Sequence, residues 1–157
     1  MLPSDSVSGF PAITEDVVRR YDVAGPRYTS YPTVPQWTES FTAADYAERL
    51  ERAGRSNPNS PLSIYVHLPF CEQMCTYCGC NVVISKDRQV ADRYIDHLAR
   101  EMALAADRLG ARRTVSQLHW GGGTPTFLSL EQIERLAGEI ASRFALTDDA
   151  EVSVEID

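Results

Sequence analysis

The sequence predicts an α/β fold, because strand-like and helix-like segments alternate along most of its length. Three segments rich in β-branched and aromatic residues, at 62–68, 115–120 and 151–156, are predicted strands. Two segments with apolar residues at helical spacing, 87–109 and 129–144, lie between them. The order strand, helix, strand, helix, strand is the repeating unit of parallel α/β folds, in which functional loops follow the carboxyl ends of the strands.

The first 60 residues are predicted to form a mostly irregular extension that carries two short helices. The helices are expected at about 14–21 and 42–53, and a threonine at the start of each can serve as N-cap. Prolines clustered between them are incompatible with regular helix. A polar stretch at 55–60 marks a boundary, so the predicted domains are an N-terminal extension of residues 1–60 and an α/β domain of residues 61–157.

Capping signals and apolar faces support the two long helices. Gly110 is a good residue to end the first helix, and Ser129 with Gln132 has the spacing of a capping box at the start of the second. The predicted apolar faces comprise Ala91, Tyr94, Ile95, Leu98, Met102, Ala105 and Leu109 in the first helix, and Ile133, Leu136, Ile140 and Phe144 in the second. These positions repeat at intervals of three and four residues, as an amphipathic helix requires.

The composition is that of an acidic globular protein. Of 157 residues, 43% are hydrophobic, and the formal net charge is −7. Binding to nucleic acid or to an anionic membrane is not expected, because either partner requires a basic patch. No apolar run approaches the roughly 18 residues of a membrane span, and the first residues lack the features of a signal peptide. A cytoplasmic location is therefore predicted, where clustered cysteines bind metals more often than they form disulfides.

All four cysteines fall within a ten-residue loop that follows the first predicted strand. Cys71, Cys75 and Cys78 form the pattern C-x3-C-x2-C, and Cys80 comes shortly after. A structural zinc site usually takes four ligands from two separated pairs, and a redox C-x2-C pair would leave Cys71 without a role. Three thiolates at this spacing favour a [4Fe–4S] cluster in which one iron lacks a protein ligand. Zinc and unligated thiols remain the alternatives.

This cysteine pattern resembles the signature of the radical S-adenosylmethionine (SAM) superfamily, which commonly has an aromatic residue before the third cysteine, here Tyr77. The resemblance implies that the amino and carboxylate groups of SAM bind the open iron of a [4Fe–4S] cluster. It also implies that one electron cleaves SAM to methionine and a 5′-deoxyadenosyl radical, which abstracts a hydrogen atom from the substrate.

The fold implied by the resemblance is a partial TIM-type radical SAM barrel, of which residues 61–157 would form the N-terminal βαβαβ part. A complete (β/α)8 barrel needs roughly 200 residues or more. The chain is therefore expected to be the N-terminal fragment of a longer enzyme and to be inactive by itself.

Five separate stretches resemble the family of oxygen-independent coproporphyrinogen III oxidases (coproporphyrinogen dehydrogenases) of anaerobic haem biosynthesis. These stretches are 26–33, 65–71, 77–81, 118–126 and 151–157. The resemblance implies oxidative decarboxylation of two propionates of coproporphyrinogen III, which yields protoporphyrinogen IX. It further implies a reductant protein such as flavodoxin or ferredoxin, and a full-length enzyme that is a monomer.

A haem chaperone that keeps the cluster but does not decarboxylate is the alternative function. Chaperone-like relatives usually have Phe at the position of Cys80 and lack an extension like residues 26–33. Both features of the oxidases are present here.

By resemblance, Cys71, Cys75 and Cys78 are the cluster ligands, and Cys80 is an additional cysteine associated with activity. For Cys80, the structural alternative is a buried small side chain. The resemblance assigns six further residues to SAM, of which the family binds two molecules. They are Tyr65, Tyr77, Gly122, Gly123, Thr124 and Glu155, with Tyr77, Gly123 and Thr124 as contacts of the second molecule.

The residue types are consistent with these assignments. A glycine run lets the backbone approach a ligand and offers free N–H and C=O groups. An acidic residue at the end of a strand is costly unless it is paired or solvated, and SAM supplies an ammonium and a sulfonium. A core tyrosine, a tight turn and a surface glutamate are the alternatives. His67 and His119 precede the two loops and are expected to be packed, hydrogen-bonded histidines rather than catalysts.

Overall fold

The computed structural model describes residues 13–23 and 33–156, and the chain divides into two compact units, Met1–Ser40 and Phe41–Asp157. The predicted α/β fold is confirmed, because helices alternate with the strands of a parallel sheet in the second unit. The described helices are α1 (Glu15–Tyr21), α2 (Ala43–Ser56), α3 (Val90–Leu109) and α4 (Leu130–Ala141), and the described strands are β1 (Leu62–Leu68), β2 (Phe70–Cys71), β3 (Val83–Ile84), β4 (Thr114–Gly122) and β5 (Ala145–Val154). Short 3₁₀ turns lie at Val34–Gln36 and Pro125–Phe127.

The four described helices agree with their predicted bounds to within three residues at each end. In the first unit, α1 is capped by the Thr14 hydroxyl, which accepts a hydrogen bond from the N–H of Val17 at 3.3 Å. Residues 26–32 and Asp157 lie outside the described residues, so what was expected of the stretches that contain them stays a prediction. No helix within the described ranges has both the length and the apolar character needed to cross a membrane.

Strands β1, β4 and β5 form a parallel sheet in that order. The register places Tyr65 opposite His119, and His119 opposite Ser153. At the end of the sheet, Leu68 lies opposite Gly122. Because the strands are parallel, their carboxyl ends meet at one edge, and the loops that follow them lie side by side.

One face of this sheet forms the core together with the apolar faces of α3 and α4. The buried residues include Val66 and Leu68 in β1, Leu118 and Trp120 in β4, Ile95 and Leu109 in α3, and Leu136 and Ile140 in α4. Because side chains alternate between the two faces of a strand, the intervening Tyr65, His67 and His119 lie on the opposite face. That opposite face is polar.

Strand β5 (Ala145–Val154) begins earlier and also ends earlier than the predicted range of 151–156. The prediction is therefore wrong at both ends. Leu146 pairs with Val115, and Glu151 pairs with Gln117. Between these two pairs, β5 contains three more residues than β4. The extra residues form an irregularity that includes two aspartates. Aspartate is unfavourable in regular strands, which is why the sequence pattern indicated a later start.

Helix α2 belongs to the same compact unit as the sheet, so the boundary between the units does not coincide with the predicted boundary at residue 60. Gly54 packs so closely on α3 that a Cβ atom there would clash with the backbone carbonyl oxygen of Leu109. The Arg112 guanidinium donates to the carbonyl oxygens of Ser60 and Pro61 at 2.8 and 3.0 Å. As a division into domains, the boundary at residue 60 stays a prediction.

We expect Gly54→Ala to lower the free energy of unfolding by about 1–3 kcal/mol, because the added methyl group overpacks the contact between α2 and α3. Gly138→Ala is the matched control, since a Cβ atom at this glycine of α4 would meet nothing within 4 Å. That control should be neutral or stabilise by up to roughly 1 kcal/mol. Urea denaturation of both variants measures the difference. Equal unfolding midpoints would contradict the close packing at Gly54.

Candidate active site

The cysteine loop is held at both ends by short strands that the sequence did not reveal. β2 and β3 pair in parallel, with Phe70 opposite Val83 and Cys71 opposite Ile84. The N–H of Ser85 also donates to the carbonyl oxygen of Cys71 at 2.9 Å. The intervening residues therefore project as a closed loop from the carboxyl end of β1.

All four cysteines on this loop are free thiols, and none is buried. Cys75 and Cys80 are exposed, and Cys71 and Cys78 are partly exposed. A turn joins two of the predicted ligands, because the N–H of Cys78 donates to the carbonyl oxygen of Cys75 at 3.2 Å. A hydrogen bond with the Cys78 side chain and the charge of its thiolate raise the pKa of the Cys80 thiol. The predicted ligands and the additional cysteine are thus accessible to a group bound against the loop.

Across the described residues, no set of three or more His, Cys, Asp and Glu side chains is close enough to hold a single metal ion. An iron–sulfur cluster makes a different demand, because each thiolate binds a different iron and the sulfur atoms lie farther apart than the ligands of one ion. Accessible soft thiolates on one loop are the ligand type that iron–sulfur clusters use.

The glycine segment, Gly122–Thr124, at the carboxyl end of β4 lies directly against the start of the cysteine loop. The N–H groups of Gly123 and Thr124 each donate at 2.8 Å to carbonyl oxygens, those of Leu68 and Phe70. A Cβ atom at Gly123 would lie 2.7 Å from the Phe70 oxygen, so glycine is required there. The Thr124 hydroxyl donates to the sulfur of Cys71 at 3.5 Å. The two loops thus form one structural unit.

The backbone N–H groups of this segment are not free, which corrects the expectation from the sequence. Besides the two donors just described, the N–H of Gly122 donates to Glu155 Oε2 at 2.9 Å. A ligand therefore cannot use these N–H groups as donors, and the Thr124 carbonyl oxygen already accepts a hydrogen bond from the N–H of Phe127 at 2.8 Å. Carbonyl oxygens accept hydrogen bonds and favour a cationic ligand group, such as an ammonium.

Glu155 lies just beyond β5, with its carboxylate held at the carboxyl ends of the strands. The Gly122 N–H and the His119 side chain hold the pKa of this carboxyl below its usual value. His119 Nε2 donates to Glu155 Oε1 at 3.3 Å, because an ionised carboxylate can only accept. A Cβ atom at Gly121 would lie 2.8 Å from the carboxyl group, so the glycine leaves room for it.

Tyr65 and His67 connect β1 to the far end of the cysteine loop. His67 Nε2 donates to the carbonyl oxygen of Asn81 at 3.1 Å, which leaves Nδ1 to accept from the Tyr65 hydroxyl at 3.1 Å. Burial and the nearby Glu155 carboxylate raise the pKa of Tyr65, so its hydroxyl stays protonated and can donate. The Tyr65 ring also stacks on the His119 ring, with centroids 5.6 Å apart.

The polar face of the sheet continues away from the loops as an open groove of about 340 Å³. The Ser63 hydroxyl donates to Gln117 Oε1 at 2.7 Å, and Gln117 Nε2 donates to Glu151 Oε2 at 3.2 Å. Ser63, Gln117 and Glu151 thus form a row across the sheet. This row lies next to the row of Tyr65 and His119, because side chains two residues apart along a strand share a face. The predicted site therefore opens onto a polar surface.

Several of the predicted site residues are brought together at the carboxyl ends of the strands. Tyr65, Glu155 and the glycine segment gather at the strand ends beside Cys71. Tyr77 is 89% exposed on the cysteine loop. The structure adds His67, His119 and Ser153, to which the sequence had assigned no site role. The two-residue period of β1, β4 and β5 was the signal that placed them on the same face as Tyr65.

Comparison with known proteins identifies the family. The model of the radical SAM superfamily matches residues 65–157. The chain belongs to the radical SAM superfamily. Membership implies a [4Fe–4S] cluster and SAM as cofactors, and the resemblance read from the cysteine pattern is confirmed.

Curated relatives within the radical SAM superfamily are named oxygen-independent coproporphyrinogen III oxidase. The chain is 45% identical to that of Salmonella typhimurium over 141 residues, which are 90% of this chain and 30% of the relative. It is 44% identical to that of Mannheimia haemolytica over 90% of this chain and 93% of the relative. The chain thus spans about 30% of the length of the Salmonella protein and nearly all of the Mannheimia sequence.

A solved structure of similar fold is coproporphyrinogen III oxidase from Escherichia coli, described as a radical SAM enzyme. The TM-score is 0.77 at 40% identity, over 91% of this chain and 30% of that chain. The predicted partial radical SAM fold is therefore confirmed.

We expect the stability contributed by Glu155 to depend on pH. Because the folded-state pKa lies below its ordinary value of 4.5, the ionised form stabilises the fold. This stabilisation is fully present above pH 4.5 and is lost as the pH falls through the folded-state pKa. Half of the side chain is exposed, so solvent screening keeps the effect small.

Urea denaturation of the wild-type chain and of Glu155→Gln, above and below pH 4.5, tests this expectation. The wild type should be more stable than the variant at the higher pH, and the difference should shrink in acid. Glu134→Gln, on the exposed side of α4, is the control and should show no such change. A difference between wild type and Glu155→Gln that does not vary with pH would contradict the contacts assigned to Glu155.

Proposed function

We propose that this chain supplies the cluster-binding and SAM-binding part of an oxygen-independent coproporphyrinogen III oxidase. Two independent observations support the proposal. The curated relatives carry that name at 44–45% identity. The geometry places the cysteine loop, the glycine segment and the Glu155 carboxylate together at the carboxyl ends of parallel strands. The second observation carries the cluster-binding and SAM-binding part of the proposal, because it provides a site for a cationic ligand beside accessible thiols, and the substrate rests on the names of the relatives.

The proposed reaction converts two propionates of coproporphyrinogen III into vinyl groups and yields protoporphyrinogen IX. Each conversion removes one β-hydrogen atom, releases CO2 and transfers one electron to an acceptor. Cluster and SAM, when bound, supply the carbon radical that removes the hydrogen atom. A flavodoxin or ferredoxin is the proposed reductant, and the full-length enzyme is proposed to be a monomer in the cytoplasm. Inactivity of residues 1–157 by themselves stays a prediction.

Cys71, Cys75 and Cys78 are proposed to hold the cluster. Their thiols are accessible, and pairing of β2 with β3 fixes the two ends of the loop on which they lie. The Thr124 hydroxyl supports one ligand by donating to the sulfur of Cys71. Cys80 is proposed, from the family resemblance, to act in the reaction without binding the cluster, and its exposed thiol lies beside that of Cys78.

Tyr65, Gly122 and Glu155 are proposed to contact the SAM molecule that binds the cluster. The Glu155 carboxylate is ionised and matches the positive charges of SAM, and a carbonyl oxygen of the glycine segment can accept from the SAM ammonium. Gly123, Thr124 and Tyr77 are proposed contacts of a second SAM molecule. The exposure of Tyr77 supports a role in contacting a ligand rather than in packing the core.

We expect Ala substitution of Cys71, Cys75 or Cys78 to abolish cluster assembly, because each removes the only protein ligand of one iron. Cys80→Ala should assemble a normal cluster and serves as the matched control from the same loop. Iron and acid-labile sulfide analysis after anaerobic reconstitution measures the outcome. One bound zinc ion without sulfide in the wild type, or loss of the cluster in Cys80→Ala, would contradict the ligand assignment.

The oxidase function is tested with the full-length protein that contains this chain, under anaerobic conditions with SAM and a reductant. We expect CO2 release and vinyl formation from coproporphyrinogen III, together with cleavage of SAM. Cys80→Ala should lower product formation while retaining the cluster. Stable haem binding without any product would favour the chaperone alternative, and product without SAM cleavage would contradict a radical SAM mechanism.

A further inference from the structure

His119 occupies the middle of the polar sheet face and contacts both β1 and the segment that follows β5. Its Nε2 lies 3.3 Å from Glu155 Oε1, and its ring stacks on Tyr65 with 16° between the ring planes. We propose that His119 is a positioning residue that holds Tyr65 and Glu155 in the orientation in which they bind SAM. This inference rests on the proposed function, which assigns those two side chains to SAM.

Hydrogen bonds fix both the histidine ring and the carboxylate. The N–H of Gly122 and the Nε2–H of His119 each bind one oxygen of Glu155, which defines the plane of the carboxylate. At the other side of the ring, His119 Nδ1 lies 2.7 Å from the Ser153 hydroxyl. With both ring nitrogens hydrogen-bonded, the ring cannot rotate without breaking these contacts. The glutamate therefore takes its orientation from two contacts, directly from the Gly122 N–H and through His119 from the sheet.

Tyr65 depends on the same ring for its orientation. Its side chain is 56% exposed, so the core does not enclose it. Among the described residues, its ring stacks on His119, and it contacts His67 through a hydrogen bond and a tilted ring contact with centroids 6.0 Å apart. Stacked aromatic pairs contribute beyond the area that they bury. Loss of the His119 ring should leave the Tyr65 side chain with its two contacts to His67.

The orientation of these side chains before binding matters, because each side chain that a ligand must immobilise lowers the affinity of the protein for that ligand. Here a single residue orients two proposed contacts, one in β1 and one just beyond β5, and none of its three interactions involves the cysteine loop. Substitution of His119 is therefore expected to weaken SAM binding and to leave cluster assembly unchanged.

Two substitutions separate the hydrogen bond from the stacking. His119→Phe keeps an aromatic ring beside Tyr65 and removes the donor to Glu155. His119→Gln keeps an N–H near the position of Nε2 and removes the ring. In the full-length protein with its cluster, we expect His119→Phe to raise the Kd for SAM roughly tenfold, as for loss of a hydrogen bond to a charged group. His119→Gln should have a smaller effect.

A second readout requires neither cluster nor activity. The pKa of Glu155, followed by carbon NMR of the side-chain carboxyl in the cluster-free chain, should rise toward 4.5 in His119→Phe and remain lower in His119→Gln. The effects of His119→Phe and Glu155→Gln on SAM affinity should also be non-additive, because both remove the same contact.

Unchanged SAM affinity in His119→Phe would overturn this inference while leaving the proposed function intact. So would additive effects of His119→Phe and Glu155→Gln, or an unshifted pKa of Glu155 in His119→Phe. Loss of the cluster in either His119 variant would indicate a structural role and would also overturn it. Failure of the wild-type, cluster-loaded protein to bind SAM at all would overturn the proposed function and this inference together.

Discussion

The hydrogen bonds donated by the Gly122–Thr124 segment hold the candidate site together. Two of its N–H groups bind the carbonyl oxygens on either side of Pro69, and the third binds the Glu155 carboxylate. One short stretch of backbone thereby connects the cysteine loop after β1 with the residue that follows β5. A buried or shielded N–H that loses its partner is costly, so displacement of any of these elements would destabilise the others.

A second connection secures the segment between β3 and α3, which follows the cysteine loop. Gln132 is the one buried polar side chain among the described residues. Its Nε2 donates to the carbonyl oxygen of Arg88 at 2.9 Å and to the Asp92 carboxylate at 2.8 Å, while its Oε1 accepts from the N–H of Ser129 at 3.0 Å. The capping box predicted for α4 therefore also ties that helix to the start of α3. The loop thus lies between two anchored elements.

The order of strands and helices could be predicted because it depends on local chemistry. Apolar residues at helical spacing located α3 and α4, and β-branched residues located β1 over its full observed length. The irregular start of β5 could not be predicted, because Ala145 and Leu146 pair with β4 ahead of an unpaired irregularity that contains two aspartates of poor strand propensity. β2 and β3 were missed because segments of two residues carry no periodic pattern.

The sequence by itself determined the fold class, the cysteine pattern and the residues at the strand ends, since each follows from residue type and spacing. Tertiary structure decided which of those residues interact. His67 and His119 had the same expectation as packed histidines, yet one binds the loop carbonyl of Asn81 and the other binds Glu155. The tertiary structure also decided that the glycine segment keeps no free N–H group for a ligand. These outcomes depend on strand register and on the path of loops distant in sequence, which local propensity does not encode.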